Sequence, residues 1–184
     1  MTVLGIRVLG DPVLRKAAEP VTEVTDETRA LISNMFDTMH AAEGIGLAAP
    51  QVGRSERVAV VEVDGAKYAL VNPEIVERGG NARAEEGCLS IPDIFGEVDR
   101  ATRVVVRALN ESGEPVEIEG SELLARCLQH EIDHLDGKLF IDYLSVLKRR
   151  SAMSKWERQK GDYPGFIRRV VLEPRGADHS EGEL

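Results

Sequence analysis

The chain has 184 residues, of which 42% are hydrophobic, and a formal net charge of −9. That length suits one compact domain with a core of its own, and the acidic balance argues against binding nucleic acid over the whole surface. No apolar run is long enough to cross a bilayer, and the opening MTVLGIRVLGDP lacks the charged-then-apolar layout of a signal peptide. The expectation is a soluble, cytoplasmic protein with no membrane partner and no specific DNA binding.

In chain order, DETRALISNMFDTMHAAEG puts Leu31, Ile32, Met35, Phe36 and Met39 at helical spacing, with Asp26 and Glu27 at its amino end and Gly44 as a stop. The β-branched runs RVAVVEV, KYALVNPEIV, RVVVRALN and EPVEIEG follow, punctuated by Gly, Asn, Asp or Pro. They read as strands of a mainly antiparallel sheet. SELLARCLQHEIDHLDG then predicts a helix with Ser121 at its N-cap, Glu122 in its first turn and Gly137 at its end. A third helix is expected in YLSVLKRRSAMSKWERQ. FIRRVVL reads as an extra strand or a partner-binding segment, and EPRGADHSEGEL (173–184) has too little apolar content to pack. The elements are three helices with a mainly antiparallel sheet, followed by a tail that reads as disordered.

At about 100° per residue, Glu122, Ala125, Arg126, Gln129, Asp133 and Asp136 form one arc of the central helix, which is expected to face water. The opposite arc holds Leu123, Leu124, Cys127, Leu128, Ile132 and Leu135, and within it His130, Glu131 and His134. Two stacked histidines and a carboxylate desolvated together would cost several kcal/mol without partners. A bound cation relieves that cost by taking both imidazoles as ligands. The HExxH spacing suits this chemistry because residues i and i+4 project side by side, and the adjacent Glu reaches metal-bound water without ligating the metal.

An open catalytic site needs a third protein ligand. A metzincin continuation, HExxHxxGxxH, fails because Phe140 stands where the last histidine belongs. A thermolysin-like zinc protease would use a downstream carboxylate, for which Glu157 is available in an exposed, charged setting. Upstream, Cys88 in EEGCLSIP completes a Cys-His-His set; a small core residue is the alternative reading of that cysteine. Two cysteines, Cys88 and Cys127, in a reducing compartment read as buried, metal-bound or catalytic rather than bridged.

GIGLAAPQ (44–51), EGCLS (86–90) and QHEIDHLDG (129–137) resemble, in order and approximate spacing, the three signature motifs of bacterial peptide deformylases. The resemblance covers residues 1 to about 150, including DPVLRKAAEPV, and looks like the compact form of that family. It implies an α+β fold, with antiparallel sheets surrounding a central metal-binding helix and an N-terminal and a C-terminal helix, and a catalytic domain over 1–150 followed by a C-terminal extension over 151–184 made of a basic helix and a disordered acidic tail. It also implies removal of the formyl group from the N-formylmethionine of new polypeptides, nascent formylmethionyl peptides being the partners. Carried over residue by residue, Cys88, His130 and His134 bind one divalent ion, Fe2+ by preference, with Zn2+, Ni2+ or Co2+ as substitutes. Glu131 becomes the acid and base, while the Gln51 side chain and the Leu89 backbone N–H donate to the oxyanion; closing a turn after Pro50 is the plainer role for Gln51. Ile45, Gly46, Glu86 and Gly87 match peptide-contacting positions, and Gly44 and Gly46 leave room for the peptide. Helix geometry adds Leu123 and Cys127 to the methionine pocket, with Arg126 at its solvent rim, core packing being the competing role for the two apolar residues.

From Lys148 to Arg169 eight Lys or Arg stand against Glu157 and Asp162, a local balance of +6 that leaves −15 on the rest. The segregation suits docking on a polyanion, and the resemblance points to the ribosome as that partner; a solvated surface is the alternative. The competing readings of function are an HExxH zinc metalloprotease cleaving internal bonds through Glu157, and an inactive deformylase-like metal protein.

Overall fold

The computed structural model describes residues 1–171. In chain order it contains β1 (Ile6–Arg7), α1 (Asp26–Ala41), β2 (Gly46–Ala48), β3 (Val58–Val63), β4 (Ala66–Gly79), β5 (Ala82–Cys88) and β6 (Ile91–Arg100). Then come β7 (Arg103–Leu109), β8 (Pro115–Ser121), α2 (Glu122–Leu135), α3 (Val146–Gln159) and β9 (Ile167–Arg168). Five strands form one antiparallel sheet in the order β2-β3-β4-β7-β8, while β5-β6 and β1-β9 form separate pairs. The result is the α+β arrangement expected.

The run VAVVEV explains how the sheet carries a helix on each face. Successive side chains of a strand alternate faces. Val58 and Val60 pack with Leu31, Ile32, Met35 and Met39 of α1, while Ala59, Val61 and Val63 pack with Cys127, Leu128, Ile132 and Leu135 of α2. A strand buried on both sides has no use for polar alternation. Thr25 caps α1, accepting from Thr28 N–H while its own N–H donates back to the Thr28 hydroxyl.

α2 begins abruptly. Ser121 takes the N-cap position but its hydroxyl makes no capping bond. The turn from β8 into the helix is made by Glu122 at φ 50, whose N–H donates to Thr102 O at 2.8 Å. A third cluster joins the β5-β6 hairpin to the C-terminal segment: Ile91, Ile94 and Val98 pack on Phe140, Leu144, Ala152 and Trp156. Burying Trp156, 2% exposed, ties α3 to the hairpin with a contribution on the order of 2 kcal/mol. The acidic tail expected over 173–184 lies outside the described residues.

Two expectations for α2 are corrected. The polar arc faces water only at its ends, Glu122 and Asp136, while Ala125 and Gln129 between them are buried. The Gln129 amide accepts from Ala101 N–H at 3.1 Å and donates to Ala101 O at 2.9 Å, pinning the helix to the β6-β7 connection. Periodicity separates polar from apolar residues, and here the polar ones have found partners inside. Arg126 does not stand at a solvent rim either; it donates to Glu86, Val98 O and Ala82 O across the hairpin. Leu123, by contrast, is 50% exposed. It lies in the first turn of α2, where the sheet no longer covers the helix.

Candidate metal centre

Cys88 closes β5 and the two histidines lie one turn apart on α2. Their donor atoms, Cys88 Sγ, His130 Nε2 and His134 Nε2, all fall within 4.8 Å of one another. Sγ is 3.3 Å from His134 Nε2, and the two Nε2 atoms are 3.2 Å apart. Three lone pairs converging in this way suit a cation, because a proton placed between any two of them leaves the third unsatisfied. Burial lowers the pKa of His134 and so favours the neutral imidazole that ligates. At His130 burial acts the same way, but hydrogen bonds to Cys88 and Glu86 outweigh it and raise the pKa, so this point in the structure favours positive charge. A soft thiolate and two imidazoles fit iron or zinc, and three protein ligands leave an open position. The Cys-His-His set therefore fits a single divalent ion.

Behind the donors lies a charged layer that sequence reasoning did not find. Glu86 Oε2 is 2.9 Å from His130 Nδ1. The same carboxylate accepts from Arg100 Nε at 2.8 Å and from an Arg126 terminal nitrogen at 2.9 Å. Arg100 is itself buried and also paired with Asp133. Fixing the far nitrogen of a ligand histidine sets its tautomer and its ring angle. The Glu86 carboxylate is thus turned into the protein, leaving only its backbone for a peptide. No signal at Arg100 in DIFGEVDR separates it from a surface arginine.

Glu131 is 4% exposed and its Oε2 has no hydrogen-bond partner. Burial pushes its carboxyl up to about 7. It sits against Gly46, where an added Cβ would lie 2.8 Å from Cys127 Sγ and would overlap the Glu131 carboxylate. Gly46 thus makes room for Glu131, not only for a peptide. Gly44 makes room for the Leu89 side chain, whose Cδ1 would be 2.8 Å from a Cβ there. Cys127 is buried, its thiol pKa raised chiefly by that burial, and it donates toward Ile45 O at 3.6 Å.

Gln51 takes the turn-closing role considered for it, and its amide nitrogen faces the donor set. Its Oε1 accepts from Ala48 N–H at 2.8 Å and closes the turn, while its Nε2 donates to Ser90 Oγ at 3.1 Å and lies 3.6 Å from Cys88 Sγ. The expected substrate residues Ile45, Gly46, Glu86, Gly87, Leu123, Arg126 and Cys127 all line one cleft of about 590 Å³, as do Gln51, Leu89, His130 and Glu131. Glu157 is elsewhere, paired with Lys160 on the exposed side of α3. Phe140 is buried, its ring stacked 6.4 Å from that of His130. Tyr163 and Arg168 also line the cleft, from a segment where the sequence carried no sign of it.

A model of the polypeptide deformylase family matches residues 3–150. A peptide deformylase of Alkalilimnicola ehrlichii is 52% identical over 162 residues, covering 86% of this chain and 91% of that protein. One of Acidothermus cellulolyticus is 53% identical over 174 residues, 95% of this chain and 96% of that protein. Among solved structures, a peptide deformylase from Legionella pneumophila is similar at a TM-score of 0.83 and 47% identity, covering 89% of this chain and all of that one.

Proposed function

The chain belongs to the polypeptide deformylase family, and from that premise we propose how its own residues carry out the reaction. It is a metal-dependent hydrolase that removes the formyl group from N-formylmethionine of new polypeptides, with formate and a free amine as products. Cys88, His130 and His134 hold the divalent ion, and Glu86, backed by Arg100 and Arg126, orients His130. Ferrous iron is the proposed native ion, and the donor set accepts Zn2+, Ni2+ or Co2+ in its place. The chemistry such an ion supplies is Lewis acidity toward a carbonyl oxygen and toward water.

The protein's part is positioning and proton transfer. Glu131 takes the proton of the attacking water and delivers it to the departing amine nitrogen as the C–N bond breaks. Gln51 Nε2 and the Leu89 N–H donate to the oxygen that gains charge on the formyl carbon. β2 and β5 each end a sheet with one edge unpaired among the described residues. A peptide laid between them adds a strand, which supports sequence-tolerant recognition by backbone hydrogen bonds. Leu123 and Cys127 supply apolar lining for the methionine side chain. The cytoplasm, where new chains begin, is the proposed compartment.

The observation that carries this reading is the convergence of Sγ and two Nε2 atoms beside an enclosed carboxylate. Formate release from a formyl-Met peptide, measured with metal content on anaerobically purified protein, tests it. Formate with one ion per chain is expected; metal-loaded protein that releases none, or that cleaves internal bonds, would refute it.

Ribosome association through the basic segment is also proposed. Arg150 and Arg158 are exposed and have no carboxylate partner among the described residues, whereas Lys148 pairs with Glu97 and Arg149 with Asp142. Because α3 is packed through Trp156, charge reversal at Arg150 and Arg158 is a cleaner test than truncation. It should weaken co-sedimentation with ribosomes at low salt, and unchanged binding would oppose the proposal. No helix among the described residues is long and apolar enough to cross a membrane.

A further inference from the structure

The final strand brings a cation back to the mouth of the cleft. β9 pairs with β1 in the register Ile6↔Arg168 and Arg7↔Ile167, and Val8 N–H donates to Phe166 O at 2.9 Å. From that register a terminal nitrogen of Arg168 donates to Leu89 O at 3.2 Å, in the turn directly after Cys88. α3 grips the same stretch, with Gln159 donating to Pro92 O and Lys155 to Asp93 O. The Tyr163 ring, stacked 5.8 Å from the buried Trp156, lines the cleft beside them. Strand pairing, stacking and these bonds hold the guanidinium in place.

The charges around the cleft make Arg168 distinct. The cleft walls include the carboxylates Glu43, Glu85 and Asp93 and, besides the candidate ligand His130, one other basic side chain, Arg126. Arg126 is consumed by Glu86 and two carbonyls. Arg168 makes one bond to a neutral carbonyl and, among the described residues, has no carboxylate at ion-pair distance. A guanidinium has five N–H donors in a fork that matches a carboxylate, so the rest of its fork is available. Leu89, which Arg168 holds by its carbonyl, lies with its side chain over Gly44 at the entry to β2. In the strand-addition pose proposed above, a peptide running out between β2 and β5 passes this point just beyond its methionine.

We propose that Arg168 is a specificity residue which receives the carboxylate of an Asp or Glu immediately after the formylmethionine. The proposal rests on the deformylase reading above. It makes the chain favour nascent peptides that are acidic at their second residue, against a wall that would otherwise repel them.

The test is kcat/KM for formate release from formyl-Met-Glu-Ala, formyl-Met-Gln-Ala and formyl-Met-Lys-Ala at low salt. The unaltered protein should favour the Glu peptide over the Lys peptide. That ratio should fall about two- to fivefold in R168Q, as for one partly exposed ion pair, fall further in R168E, and be retained largely in R168K. Added salt should shrink the preference. A ratio unchanged in both R168Q and R168E, or equal losses on all three peptides, would overturn the proposal, because a merely structural Arg168 moves all three alike. If the unaltered protein releases no formate from the Gln peptide, the deformylase reading itself falls.

Discussion

Replacing Glu86 with Gln removes one charge and almost no volume from the layer behind His130. The carboxylate side chain is 4% exposed and accepts two bonds from Arg100 and one from Arg126, besides its contact with His130. Burial alone would raise its pKa, but the bonds from His130 and Arg100 outweigh this and hold it at about 2 against an ordinary 4.5. That difference corresponds to about 3 kcal/mol in favour of the ionised form, in line with the ~3–5 kcal/mol cost of breaking a buried ion pair. Because the folded-state value lies below the unfolded one, this stability is fully present above pH 4.5 and is lost as pH falls through about 2. In a chain of this size Glu86→Gln should lower the melting temperature by roughly 6–12 °C at neutral pH, and the gap should narrow in acid. It should also weaken metal binding by about 10- to 100-fold, because His130 loses the group that fixes its tautomer. Thermal unfolding with and without chelator, together with competition for the metal by a coloured chelator, measures both effects. A drop of less than ~2 °C with metal affinity intact would show that Glu86 neither anchors the arginines nor orients the ligand.

Three other substitutions probe separate parts of the site and its frame. Glu131→Ala should keep the metal and lose formate release by at least ~100-fold; a variant retaining most of its activity would end the acid-base assignment. Gly46→Ala should cost about 1–3 kcal/mol through overpacking and lower kcat, because the new methyl would contact Cys127 Sγ and displace the Glu131 carboxylate. Normal turnover in that variant would mean that Glu131 does not need its place against β2. Asp142→Asn addresses the helix-to-core connection. Burial raises this carboxyl's pKa, but the Arg15 and Leu139 N–H bonds lower it overall. Stability is thus gained above pH 3.8 and lost on acidification. Since the side chain is 27% exposed, less than about 1 kcal/mol is expected, seen in urea melts at pH 7 and diminishing as the pH falls below 3.8.

The parts of the fold legible in the sequence are those where one chemical property dominates a stretch. β3 and β7 are runs of valine between turn residues, and α1 shows an apolar stripe with acids at its start. The β5-β6 hairpin is different: Arg83, Glu85 and Glu86 on one strand, and Glu97 and Asp99 on the other, interrupt any apolar alternation. Its outward pairs are ionic, as between Arg83 and Asp99. Its inward charge, Glu86, is offset by Arg100 from the partner strand and Arg126 from α2. Such compensation is a tertiary fact that no local pattern carries. The candidate metal donors were readable because HExxH encodes its geometry within one helix and the EGCLS motif supplied the rest. Arg100, Ser90, Tyr163 and Arg168 reach the site only through contacts made by folding, so their spacing in sequence is uninformative.

Cobalt-loaded protein offers the most direct view of the centre, because a thiolate bound to Co2+ gives a charge-transfer absorption in the near ultraviolet. One equivalent of Co2+ should produce that band and support formate release, Cys88→Ser should abolish it, and Cys127→Ser should leave it in place. A band that survives Cys88→Ser, or one that disappears with Cys127→Ser instead, would contradict a centre built from Cys88, His130 and His134.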